Sequence, residues 1–495
     1  MNETDSYIEG LSRNQTFLLP KTIEEYVQTD NPVRFIDAYV NTLDMEKLGF
    51  THSTPQDLGR PSYNPKDLCK LYLYGGLNHI RSSRKLEREC KTNLEAMWLL
   101  KGLAPDFKTI ADFRKDNPSA IGALFKEFVC FLKELSLFGA KQVTVDGTKL
   151  KAVNSQYRAF NQKSLAERVK RMEKSVQHYL EELDTQDEQE TFDEQKVASE
   201  VREQAKAFKV NQLAKLLDQK EKCEKILGFM EKSNQKEAAL TDPDCRLMMN
   251  HGRIEPCYNV QAAVDSKNHL IVDYTITNSP SDLNQLSSIA ISAKETLGAE
   301  HLDCVSDKGY FDFMQIKQCV DNEVTPYVAI KKPGRGGSCV VTAEFTADKF
   351  TYDKNADVYV CPAGQRLLFS CLTVREGMNM RIYKCQSGVC SACAYFMTKC
   401  TKSKAGRKIW RWMYEGVIDE MRDRVRWHPE FMAERKNVAE HPFGTIKRAF
   451  GAPYLLVRGL KRVSGEVGLL LMSYNLRRAL NILGVEALIE ALVKK

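Results

Sequence analysis

The chain has no run of eighteen apolar residues among its 495, which excludes a membrane-spanning helix. Its opening, MNETDSYIEG, is polar and acidic and lacks the basic-then-apolar order of a signal peptide, so the expected location is the cytoplasm. From residue 160 to 240 there is one glycine and no proline, a scarcity of turn formers that points to long helices. Net charge is only +7 overall. It is uneven, however: residues 401–462 hold fifteen Lys and Arg against seven Asp and Glu, a balance of +8. A basic stretch that also carries Trp410, Trp412 and Trp427 suits a polyanion, because cations neutralise phosphates while aromatic rings stack on bases. The plainer alternatives are a solvated basic helix face and tryptophans of the core.

What is present in quantity is cysteine, fifteen in all. In a cytosolic chain that argues for thiols or metal ligands rather than disulfides. Most stand singly, as small core residues. Cys361 (in VCPAG), Cys390, Cys393 and Cys400 form a cluster with Cys385 as the spare. Cys390-x-x-Cys393 is a knuckle spacing, and two further thiolates would complete a structural zinc site. The alternative is a set of reduced, metal-free cysteines.

The length allows two to four domains. Residues 1–135 carry apolar positions at helical spacing, and Arg81, Arg84 and Arg88 recur along one helix face. Those arginines suit either phosphates or a salt-bridged surface. KQVTVDGTKL reads as a strand, and residues 160–240 as a helical hairpin or coiled-coil arm joined by the acidic turn DTQDEQETFDEQ. CYNVQAAVD and HLIVDYTI read as a β-hairpin. A helix from about Asp282 to Thr296, capped by Ser281, follows; then come a strand ending at Asp307, a helix and another strand. The pattern is a mixed α/β sheet interrupted by a helical arm and by a cysteine-rich stretch.

Asp146 and Asp307 each close a buried strand just before a glycine. If those strands are parallel neighbours, their carboxylates project together from the carboxyl end of the sheet. Such a pair calls for a cation, and hard oxygen ligands suit Mg²⁺. A third carboxylate would complete a two-metal site for phosphoryl transfer. An Asp after a strand is also an ordinary turn former, and Asp265 and Asp303 are competitors of the same kind.

The segments VTVDGTKLKA, TDPDCRL with YNVQAAVD, VSDKGYFD and VAEHPFGTIKR followed by SYNLRRAL resemble DDE transposases of bacterial insertion sequences, over nearly the whole chain. The resemblance implies an RNase H-like catalytic core (140–159, 241–332 and 405–490). Around it would lie a helical DNA-binding or oligomerisation domain (1–135), a helical insertion (160–240) and a Cys-rich, zinc-binding insertion (333–404). It implies Asp146, Asp307 and Glu440 as the acids, two Mg²⁺ ions with Mn²⁺ as a substitute, and hydrolysis at the element's end followed by attack of the freed 3′-hydroxyl on target DNA. Partners would be double-stranded DNA, at terminal inverted repeats and target, and a second copy in a homodimer, with no membrane. Around Glu440 the family pattern has Tyr, Arg and Lys; here these positions hold Ala433, Lys436 and Lys447. Arg435 is the better phosphate ligand beside Lys436, because its planar fork binds bidentately. Arg435, Lys436, Lys447, Arg448, Arg81, Arg84, Trp410 and Trp412 are thus the expected DNA contacts. Pro442 suggests that Glu440 lies near a helix start, with Lys447 about 10 Å further along the same face. Two other readings stay open: a DNA-binding protein of transposase descent that no longer cuts, and a standalone nuclease.

Overall fold

The structure, a computed structural model, describes residues 22–54, 61–155, 159–190, 199–233, 237–330 and 341–494. The last five residues of the acidic turn, 191–195, and the glycines Gly59, Gly334, Gly336 and Gly337 lie outside them, while the start of that turn continues as helix to Glu190. The chain divides into two compact units. Among the described residues, no helix is long and apolar enough to cross a membrane.

The first unit comprises residues 1–135, 151–245 and 444–495. Its helices are α1 (Pro32–Thr42), α2 (Pro65–Leu77), α3 (Ser83–Thr92), α4 (Leu94–Leu99), α5 (Phe107–Asp116) and α6 (Pro118–Glu134). Asn31 and Asn64 cap α1 and α2, each before a proline at the first helical position, where the missing N–H costs nothing. The C-terminal stretch, grouped with the sheet on sequence, packs elsewhere: its long helix (Leu460–Val493) lies against α1, α2, α5 and α6. Val467 to Leu476 are buried without a break, the polar Ser473 and Asn475 included, so this stretch has partners on every side. Close approach is made possible by Gly76, where a Cβ would lie 1.9 Å from Ser473 Oγ.

The arm is a helical hairpin within this unit. After strand β1 (Gln142–Lys151), a short strand β2 (Ala159–Asn161) leads into α7 (Gln162–Glu190), α8 (Ser199–Ser233) and β3 (Glu237–Ala239). Strands β2 and β3 pair antiparallel at its base. Leu165, Val169 and Met172 of α7 meet Cys223 and Met230 of α8.

The second unit comprises residues 136–150 and 246–443. After β1 come β4 (Arg246–Asn250), β5 (Arg253–Asp265), β6 (Ile271–Thr277), α9 (Leu286–Leu297), β7 (Leu302–Ser306), α10 (Phe313–Asp321) and β8 (Val324–Val328). They build a six-stranded sheet in the order β4-β5-β1-β7-β8, with β6 also paired to β5. Strands β1, β7 and β8 run parallel, while β4 and β6 run antiparallel to β5. Val143, Thr144 and Val145 are consecutively buried, as a central strand covered on both faces requires. A second, five-stranded antiparallel sheet holds β9 (Thr351–Asp353), β10 (Val358–Val360), β11 (Arg366–Arg375), β12 (Met378–Lys384) and β13 (Lys408–Trp412). Helices α11 (Glu415–Trp427) and α12 (Pro429–Gly444) complete the unit; the long C-terminal helix is α13.

Candidate active site

The parallel pairing of β1 and β7 runs from Gln142 opposite Asp303 to Val145 opposite Ser306. Asp146 and Asp307 follow that last rung and stand side by side where the β1–β7 ladder ends; Asp307 is the residue after β7, whereas Asp146 lies within β1, which runs on to Lys151 instead of closing at the acid. Asp303 sits at the other end of the same ladder. Asp265 is fully buried, and its carboxylate accepts the backbone N–H groups of Gly139, Ala140 and Lys267, a turn-holding role. The register thus separates the two competitors from the pair.

Each acid is braced by its own loop. Asp146 Oδ1 accepts the Gly147 N–H at 2.8 Å, and Asp307 Oδ1 accepts that of Gly309 at 2.7 Å. A larger residue at either glycine would force one of these side chains to move: a Cβ on Gly309 would stand 2.8 Å from Asp307 Oδ1, and one on Gly147 2.5 Å from Gln261 Nε2. Burial pushes the Asp146 carboxyl up to about 6, opposed by the Gly147 N–H and by Arg435 and reinforced by Asp307 and Asp282. Arg435 of α12 is the nearby cation, its Nη1 3.6 Å from Asp146 Oδ2.

Asp282 is the acid that sequence reading passed over. It was expected to begin a helix, but α9 starts only at Leu286 and Ser281 does not cap it. The Asp282 carboxylate is instead taken up by the sheet: Oδ1 accepts from Lys149 Nζ at 3.0 Å, Asn259 Nδ2 at 2.7 Å and Gln261 Nε2 at 2.9 Å. The Tyr310 hydroxyl then donates to Gln261 Oε1. Alternation along β5 was the available clue, since Asn259 and Gln261 are polar residues on one side of a strand that is buried from Pro256 onward.

Glu440 stands apart from the pair. It lies in the last turn of α12 rather than at a helix start, its side chain is 66% exposed, and its nearest cation is Lys436 Nζ at 4.0 Å. Pro442 falls inside the helix, and its missing N–H and bulky ring coincide with the switch to a π-helical turn, Thr445–Ala449. That turn carries Lys447, half-buried, and Arg448, exposed, so the straight helical face drawn from Glu440 to Lys447 is not what forms. Among the described residues, no three His, Cys, Asp or Glu side chains are grouped so as to hold an ion.

Other expected contacts divide by burial. Arg81 is engaged inside the helical unit, donating to the Gly451 carbonyl and to buried Glu466, each at 3.0 Å. Arg84 is exposed and lies over the Phe107 ring. Trp412 is buried and stacks on Phe313, whereas Trp410 is exposed. Cys361, Cys385, Cys390, Cys393 and Cys400 all line one pocket, with Phe345, Phe350 and Arg407. All five are free thiols. Cys361 Sγ accepts the Gln365 N–H at 3.3 Å across a turn closed by Gly364 at φ +78°. Burial, then the neighbouring Cys390, pushes the Cys385 thiol up to about 12.

No curated protein and no solved structure matches the chain. A family model described as a transposase domain (DUF772) matches residues 21–116, the helices from α1 to α5. Another, described as a transposase DDE domain, matches residues 360–480, from the cysteine pocket through Glu440 into α13. With one transposase model on its N-terminal helices and a DDE model on its C-terminal part, the chain belongs with the DDE transposases of insertion sequences.

Proposed function

We propose that this protein binds the ends of its own element and catalyses divalent-metal-dependent strand cleavage and strand transfer, on a sheet of RNase H-like kind. The observation that carries the reading is the adjacency of Asp146 and Asp307, one residue beyond the Val145–Ser306 rung where the β1–β7 ladder ends. The donor chemistry fits a hard cation: two carboxylates emerge together, and Asp146 already holds its proton more tightly than usual because burial and neighbouring acids disfavour its charge. Asp146 and Asp307 would hold Mg²⁺ or Mn²⁺, two ions in the full site, with Glu440 as the third acid. The metal, when bound, supplies activation of the attacking oxygen and neutralises charge on the leaving one.

The chain's own residues do the rest. The Gly147 and Gly309 amides fix the two carboxylates, and the Lys149–Asn259–Gln261 set holds Asp282 beneath them. Arg435 favours the ionised form of Asp146 against the burial that opposes it, and presents a planar fork where a backbone phosphate would approach. Lys436, Lys447, Arg448 and Arg84 are further phosphate contacts. Cys361, Cys390, Cys393 and Cys400 would hold a structural zinc, with Cys385 in the same pocket as a fifth thiol. The active assembly is a homodimer, acting on chromosomal DNA in the cytoplasm.

The test is incubation of protein and Mg²⁺ with DNA carrying the element's terminal inverted repeats. Strand cleavage at the repeat ends is expected, with loss of cutting but retained end binding in Asp146→Asn. Cleavage without end preference would make the protein a nuclease. The exposed position of Glu440, away from the acid pair, favours one second reading, a DNA-binding protein that no longer cuts. Binding without cleavage in the same assay would establish it.

A further inference from the structure

One face of the five-stranded sheet has no role in the chemistry above. Residues paired across antiparallel strands project to the same side, as do residues two apart on one strand. Lys384 of β12 pairs with Leu368 of β11 and with Lys408 of β13. Two residues along, Ile382 pairs with Cys371 and Trp410, and Met380 with Thr373 and Trp412. Arg375 pairs with Met378 and joins the same side. Leu368 pairs in turn with Val358, and Val358 with Asp353, while Arg366 lies two residues before Leu368. The face therefore presents four cations, Arg366, Arg375, Lys384 and Lys408, against one acid, Asp353, on the edge strand furthest from Lys408.

Its two lysines stand directly opposite one another. Like charges across a strand pair repel, and neither ammonium meets a carboxylate among the described residues. An anion between or beside them would remove that cost. Next to them Trp410 is 44% exposed, and the Arg375 guanidinium lies 5.4 Å from its ring centroid while also meeting Glu376 at 3.7 Å. Leu368, 39% exposed, adds apolar surface on the lysine rung. At the inner end of the face, buried Trp412 stacks on Phe313 at 5.8 Å between centroids. Phe313 opens α10, directly after the turn that carries Asp307. The face thus runs outward from the flank of the candidate active site.

We propose that this face binds an unpaired stretch of a DNA strand, Lys384 and Lys408 holding successive backbone phosphates and Trp410 stacking a base. Cations that track a backbone beside an exposed aromatic ring form a sequence-tolerant single-strand platform. A second copy of this chain fits less well, because the face is predominantly cationic and the chain carries net positive charge. The inference rests on DNA being the substrate, and names the part of it held here.

The experiment titrates full-length protein against two labelled oligonucleotides, a blunt duplex and the same duplex with a single-stranded overhang, at several salt concentrations. Wild type is expected to favour the overhang. Lys384→Gln with Lys408→Gln should lower the slope of log K against log salt by about 1.4 on the overhang DNA, at about 0.7 per single-strand phosphate. Trp410→Ala should weaken overhang binding on the order of tenfold and leave the blunt duplex unchanged, with Trp410→Phe retaining most of the affinity. Unfolding midpoints at wild-type values establish that each variant is folded. Wild-type overhang affinity in the variants, equal losses on both DNAs, or a lysine variant that changes the oligomeric state instead would overturn the proposal. If wild type binds neither DNA, the proposed function falls with it; if it binds and the variants do not differ, only this face is refuted.

Discussion

Replacing Asp146 by Asn should stabilise the metal-free protein while abolishing strand cleavage. The side chain is 24% exposed, and burial is the leading cause that pushes its carboxyl from an ordinary 3.8 up to about 6. That displacement corresponds to at most about 3 kcal/mol of destabilisation borne by the ionised form. The sign follows from the direction. A carboxyl whose folded value is raised costs nothing below about pH 4, where it is protonated folded or unfolded. The cost grows between pH 4 and 6 and is complete above that. Asn keeps an oxygen to accept the Gly147 N–H and removes the charge; the weaker loss is the attraction to Arg435. Chemical unfolding in EDTA should therefore give Asp146→Asn a higher midpoint than wild type at pH 7.5, with the gap closing towards pH 4.5. Adding Mg²⁺ should close most or all of the gap by stabilising wild type alone, by about 2.7 kcal/mol when the ion is present at a hundred times its dissociation constant. A variant no more stable than wild type at pH 7.5, or a gap that does not shrink on acidification, would refute the account of Asp146 as a charge held ready for a cation.

Three further outcomes test the surroundings. Arg435→Ala removes the cation that lowers the Asp146 carboxyl, so the acid limb of the cleavage-rate profile should move to higher pH, with Arg435→Lys intermediate; a profile unchanged in position would release Arg435 from that role. Gly309→Ala drives a methyl to 2.8 Å from Asp307 Oδ1 and should cut the cleavage rate at least tenfold with little change in unfolding midpoint, since the loop rather than the core must yield. Metal analysis of purified protein should return one zinc per chain, falling below half in Cys390→Ser, and a chelator should lower the melting temperature; a zinc-free preparation with the same melting temperature would return the thiols to simple packing.

What could be read from residues alone follows from how local each signal is. Alternation and β-branching marked β1, β5, β6, β7 and β8, and glycine after an acid marked the two loops, because both depend on neighbours in sequence. Pro442 misled for the same reason: a proline usually opens or ends a helix, but here Phe443, Val438 and Ala439 are buried, and that packing carries α12 through it. The resemblance placed the C-terminal helix with the catalytic core, whereas Val467 to Leu476 are buried against helices more than three hundred residues earlier, a match no local pattern encodes. Asp282 makes the point most sharply. In sequence it is one polar residue in the run SPSDLNQL, indistinguishable from a helix cap. In the fold it is one of the acids that raise Asp146 and the acceptor for Lys149, Asn259 and Gln261, so its negative charge is matched by donors from two other strands. Neutralising it as Asp282→Asn would relieve Asp146 only at the cost of setting an amide against two amide donors and a lysine. The acid pair is therefore tuned by a residue whose meaning exists only once β1 and β5 lie side by side.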